Sequence, residues 1–144
     1  MTSKITSVAS IESIDQIDLK FPYSGRQHLS IALRKHPRYG TDVLLSIPRG
    51  QFKCSVVDGC TILARFDDDK AIQFHANEPD DGSSNVLFIR DHARFIARLK
   101  TADKTIIQAT FFNNGTHTVS FSTKGLTWPP GKHDAIRHQT ESER

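Results

Sequence analysis

The spacing of the apolar residues constrains this chain more than any other feature, and over most of its length that spacing is two. In HLSIALR, Leu29, Ile31 and Leu33 alternate with His28, Ser30 and Arg34, the signature of a strand with one face in a core and the other in solvent. DVLLSIP repeats the pattern with Val43, Leu45 and Ile47, CTILARF with Ile62, Ala64 and Phe66, and AIQFHAN with Ile72 and Phe74 against Gln73 and His75. NVLFI is a short continuous apolar run, as in a strand covered on both sides. KTIIQATFF and HTVSFST are joined by NNG, a hairpin signal because Asn and Gly tolerate positive φ.

One segment breaks the pattern. DHARFIARLK, residues 91–100, places His92, Phe95, Ile96 and Leu99 at helical spacing, with Arg94 and Arg98 on the far side and Asp91 as a suitable N-cap. This predicts one short helix packed across an end or edge of the sheet. About seven or eight strands with one helix define an all-β fold, an antiparallel β-sandwich or, as the alternative, a small partly open β-barrel. The alternation assigns Leu29, Ile31, Leu33, Phe66, Phe74, Phe95, Val119 and Phe121 to the core, and Phe88 and Phe111 read the same way.

A chain of 144 residues suits one domain with a single core. Residues 1–16, rich in Ser, Thr and Ile, read as a loosely ordered lead-in, 17–127 as the domain, and 128–144 as a polar flexible tail. No run approaches the roughly eighteen apolar residues of a membrane span. MTSKITSVAS carries one lysine and no apolar run, which is not the pattern of a secretory leader. That leaves a cytoplasmic protein, or the mature form of an exported one. The net charge of +3 permits contact with nucleic acid without requiring it.

FKCSVVDGCTILARFDD holds both cysteines, Cys54 and Cys60. Structural zinc wants four ligands in paired spacings, and here no second pair stands nearby. A thioredoxin-type motif separates its sulfurs by two residues, not five. Asp58-Gly59 is a turn dipeptide that folds the two cysteines toward each other, so a disulfide is the favoured reading and two unrelated buried thiols the alternative. A disulfide implies an oxidising compartment, for a bacterium the periplasm or cell surface.

Hydrolase motifs and phosphate-cradling glycine loops are absent from the sequence, and no cofactor or metal site is expected. Surface histidines explain His28, His75, His117, His133 and His138 more simply than a convergent site does. The acidic clusters DDDK (67–70) and EPDDG (78–82) lack the ligand spacing of a calcium loop and read as solvated turns. Basic residues gather in LRKHPRYG (33–40) and around the helix at Arg90, Arg94, Arg98 and Lys100, with Tyr39 the one exposed aromatic nearby. Arg34, Lys35, Arg38, Tyr39 and Arg90 are the candidate partner-binding residues. An RNA-binding sheet would interleave more aromatics with them.

The order of features resembles small bacterial envelope proteins: the accessory β-sandwich proteins encoded beside type VI secretion systems, and the invasion-associated locus B family. The matching stretches are ARFDD, FIRDHARFIARLKTADKTIIQATFF and VSFSTKGL, with Arg65 and Asp67, Phe95 and Leu99, and Phe121, Gly125 and Leu126 at corresponding positions. The likeness covers about residues 27–126 and carries over no catalytic residue. It implies a non-enzymatic, protein-binding accessory of a secretion or surface assembly. The alternatives are a secreted or periplasmic inhibitor or immunity-type protein, whose disulfide loop would project from the sheet, then an enzyme with an unfamiliar site, then a nucleic-acid-binding β domain. A small-molecule partner is not expected.

Overall fold

A computed structural model describes residues 6–128. Its elements are β1 (Ser7–Glu12), β2 (Ile17–Asp18), β3 (Arg26–Gln27), β4 (Ser30–His36), β5 (Gly40–Ser46), β6 (Cys60–Phe66), β7 (Ile72–Asn77), β8 (Val86–Ile89), α1 (His92–Thr101), β9 (Lys104–Phe111) and β10 (Gly115–Ser122). Eight strands form one antiparallel sheet in the order β1-β4-β5-β8-β7-β6-β9-β10, and β2 and β3 pair separately. The fold is all-β and sandwich-like, with one helix.

The layers come from a single sheet that curls over its own core. Eight strands laid flat would separate the end strands by about 33 Å. Instead the Ile14 N–H donates to the Ser120 carbonyl at 2.7 Å, the Asp15 carboxylate accepts the Ser120 N–H at 2.8 Å, and the Lys20 N–H reaches Asn114 Oδ1 at 2.6 Å. The chain leaving β1 therefore runs along β10 and bridges the two ends of the sheet. Of the residues the sequence assigns to the core, Leu29, Ile31, Leu33, Phe66, Phe74, Phe95, Phe111, Val119 and Phe121 are buried, whereas Phe88 is half-buried on the outer face.

At β8 the sheet splits. β8 pairs with β5 only from Leu44↔Phe88 to Ser46↔Val86, and with β7 only at Ala76↔Ile89 and Asn77↔Phe88. Beyond Ile89 the chain turns into α1, whose Phe95, Ile96 and Leu99 fill the core side of the gap. Phe95 meets Phe66 and Phe74 edge-on, with ring centroids at 5.8 and 5.2 Å.

Five sequence expectations are corrected. Residues 7–12 are not a loose lead-in: Ala9 and Ile11 face Leu33 and Ile31 of β4, and pairing partners rather than their own weak pattern make them a strand. Trp128, assigned to the tail, is buried in the core; residues 129–144 lie outside those described. NVLFI is not covered on both faces, because Val86 and Phe88 are half-buried on the outer one, where the Arg34 guanidinium lies 5.9 Å from the Phe88 ring centre. The Asp91 side chain makes no cap hydrogen bond, although α1 starts immediately after it. Arg94 and Arg98 do not point away from the core: each guanidinium lies over a core ring, Phe74 at 5.9 Å and Phe66 at 5.2 Å.

Candidate functional site

The cysteine segment begins as a stem hydrogen-bonded to the end of β9. Phe52 is buried against Phe111 with ring centroids 4.9 Å apart, and the Lys53 N–H donates to the Thr110 carbonyl at 2.9 Å. From this stem the chain reverses within five residues. Cys54 and Cys60 are bonded to each other across a Cα–Cα distance of 4.2 Å. Inside the clasp, Ser55 and Gly59 form an isolated β-bridge, and Ser55 Oγ accepts the N–H groups of Val57 and Asp58 at 3.1 and 3.2 Å.

That geometry holds the tip outside the fold. Val56 and Val57 are 103% and 91% exposed. A loop this short cannot turn its apex back into a core, so two adjacent β-branched apolar side chains stand in solvent on a cross-linked support. Scattered exposed apolar residues are ordinary; here two adjacent ones share a cross-linked projection, which makes the tip a candidate contact surface. Covering one valine fully is worth about 1.5–3 kcal/mol, and a prefixed loop loses little entropy when it is covered.

Beside the loop lies a cleft of about 700 Å³, at the split in the sheet, lined by Asp58, Gln73, Phe74, His75, Arg90, Asp91 and Arg94. Gln73 also lines two smaller depressions: one bordered by Ser55, Asp58 and Gly59 of the loop, the other by Thr61, Leu63, Gln108 and Thr110 on the neighbouring strands. The loop and the cleft thus form one continuous relief on the outer face of β6 and β7.

The five basic-strip candidates are distributed rather than grouped. Arg34 is bound by Nε and Nη2 to Asp42 at 3.2 and 2.6 Å, so its charge is already met. Lys35 follows it on β4 and so projects to the opposite face. Arg38 lies over Tyr39, 5.7 Å from the ring centre, and Tyr39 in turn packs on His36 in the β4–β5 turn. Arg90 stands at the split, where it borders both the cleft and the depression that Tyr39 lines.

The acidic clusters have structural work within their turns. Asp67 Oδ1 accepts the N–H groups of Asp103 and Lys104, and Asp69 pairs with Arg98 at 2.7 Å. The Asp81 carboxyl is held below its usual range by hydrogen bonds from the Ser83 side chain and N–H. His28 contacts the Ser13 carbonyl and His117 that of Asn114, on separate parts of the sheet; His133 and His138 lie outside the described residues. Among the described residues, the one group with metal-ligand spacing joins both cysteine sulfurs to a Glu78 oxygen within 4.8 Å, and those sulfurs are engaged in the disulfide.

Sequence reasoning located the clasp and counted Arg94 among the basic residues around the helix, but passed over Val56 and Val57. The signal for the valines was available, since five residues between bridged cysteines leave no path for an inward tip. The exposed rings of Phe21 and Phe112 were missed as well. No family model, curated protein or solved structure matches the chain. No helix among the described residues is long and apolar enough to cross a membrane.

Proposed function

We propose that the chain is a protein-binding module of the bacterial envelope, an accessory of a secretion or surface assembly, and that the disulfide-clasped loop is its contact element. The observation that carries this reading is the Val56–Val57 pair held in solvent by Cys54–Cys60. An apolar tip on a preorganised support suits a partner's apolar pocket, because the loop need not be ordered on binding. The disulfide supports an oxidising compartment. The likeness around ARFDD and FIRDHARFIARLK supports the periplasm and the secretion setting.

One observation favours a second reading. The loop projects rather than packing inward, as a plug for an enzyme's active-site cleft would. An inhibitor or immunity-type role differs from the first in its consequence, since the partner then loses activity when bound.

The test is a photo-crosslinking residue placed at Val57 in the cells that make the protein, with Lys124 as the control position. Lys124 is hydrogen-bonded to Asp103 beyond the far end of β9 from the loop. The reading expects a discrete protein adduct from position 57 and none from 124. Equal adducts from both positions, or none from 57, would contradict it.

A further inference from the structure

We propose that the split in the sheet is an acceptor for an extended peptide segment carrying acidic side chains, which adds as a short strand to the open edge of β7 against Arg90 and Arg94. The inference rests on the protein-binding reading and adds the chemistry of the partner segment.

The main chain of β7 offers an open edge. β7 is paired along Ile72–Ala76 by β6, but on its other side the ladder with β8 ends at Ala76↔Ile89. The last bond across that side is the Arg90 N–H to the His75 carbonyl, at 2.9 Å. Successive residues of a strand direct their N–H and C=O alternately to the two sides, so Gln73 directs its pair the same way as His75, away from β6. The side it faces is the cleft that Gln73, Arg90 and Arg94 line. An unpaired donor and acceptor beside a cleft is the arrangement that strand addition uses, with main-chain bonds giving affinity and flanking side chains giving selectivity.

The flanking side chains set the selectivity. Among the described residues the two ion pairs are Arg34–Asp42 and Arg98–Asp69. Arg90 and Arg94 are in neither. The Phe74 ring face steadies Arg94 from below at 5.9 Å without meeting its hydrogen-bonding fork. Two exposed guanidiniums with free forks select carboxylates, which they bind with two parallel hydrogen bonds. His75 lies on the same wall, and the carboxylates of Asp58 and Asp91 also line the cleft. The cleft is therefore close to neutral as a whole. It selects a carboxylate through the placement of the two forks, and it leaves room for a basic residue of the same segment beside Asp58. Asp58 belongs to the clasped loop, so one partner touches the valine tip and the cleft together.

The probe is a blocked, fluorescein-labelled pentapeptide with glutamate at its second and fourth positions and valine elsewhere. It is titrated into the full chain by anisotropy and by amide NMR at low salt. Saturable binding is expected, with a new shift and slowed exchange at the Gln73 amide. Arg90→Gln and Arg94→Gln are each expected to weaken it about tenfold, the loss of one charge-assisted contact. Gln73→Pro removes the open N–H while leaving the β6 ladder intact, and is expected to abolish binding in a chain whose unfolding midpoint is checked separately. If that variant does not fold, the Gln73 amide response of the unaltered chain decides in its place. Failure to bind more tightly than about 1 mM, equal binding of the lysine analogue or of a short oligonucleotide, or indifference to both arginine changes would overturn the inference. The crosslink at Val57 is untouched by those failures, and its own absence would instead remove the reading on which this one rests.

Discussion

Ser55 and Gly59 exchange two main-chain hydrogen bonds of 2.9 Å each across the clasped loop. Gly59 makes that exchange with φ at +76° and nothing within 4 Å of where a Cβ would stand. Alanine there meets no clash, so its cost is conformational, about 1–2 kcal/mol for an L-residue in the left-handed region. Gly59→Ala is expected to lower stability by about 1 kcal/mol in urea titration. A gain in stability would mean that the loop does not hold this turn.

The disulfide restricts the unfolded chain. Closing a loop of this length removes about 2.4 kcal/mol of chain entropy on the loop-closure formula. The Cys54→Ser, Cys60→Ser double variant is expected to lose about 2 kcal/mol and keep its sheet, because the stem remains held by Phe52 and by Lys53 on β9. Denaturant unfolding followed by far-ultraviolet circular dichroism measures both. Collapse of the sheet signal without denaturant would show that the clasp is needed for folding itself.

Asp67 ties the β6–β7 turn to the start of β9. It sits at φ +54°, and its Oδ1 accepts two N–H groups at 3.0 Å each, from Asp103 and Lys104. Asp67→Ala removes both bonds and a side chain that tolerates this φ, at a cost of about 1–2 kcal/mol. Asp67→Asn keeps an acceptor oxygen and a tolerant backbone, and is expected to cost less than half as much. Equal losses for the two variants would place the effect in charge rather than geometry.

Two aromatic truncations test the limits of the core. Phe121 has no exposed surface and Trp128 only 5%. Each change to alanine is expected to cost about 3–5 kcal/mol. A cost under about 1 kcal/mol for Trp128, the range of ordinary surface changes, would return it to the tail.

The fold was legible where one face of a strand is greasy and the other polar, as in Leu29–Ile31–Leu33 and Val43–Leu45–Ile47. The Asn113–Gly115 hairpin was legible because its turn needs positive φ, which the chain adopts at Asn113 and Gly115. β1 was not, since Ala9 is small and Ile11 half-buried, and their strand exists because β4 pairs with it. Helical spacing placed Phe95, Ile96 and Leu99 correctly. It could not show that Arg94 and Arg98 bend back over Phe74 and Phe66, because that depends on which strands lie under the helix. Of the candidate site, the cysteine spacing announced the loop. The cleft depends on where β8 stops, a tertiary event with no local sequence mark.

The clasp is the claim on which the rest depends, and the thiol state of the protein in its own cells tests it most directly. The chain is acid-quenched, denatured, alkylated without reductant and weighed intact, then reduced and alkylated again. The clasped loop gives a chain lighter by two hydrogens that takes no alkyl group at first and one on each of Cys54 and Cys60 after reduction. Two alkyl groups before reduction would mean a loop without its clasp and a reducing compartment, and would overturn the proposed role.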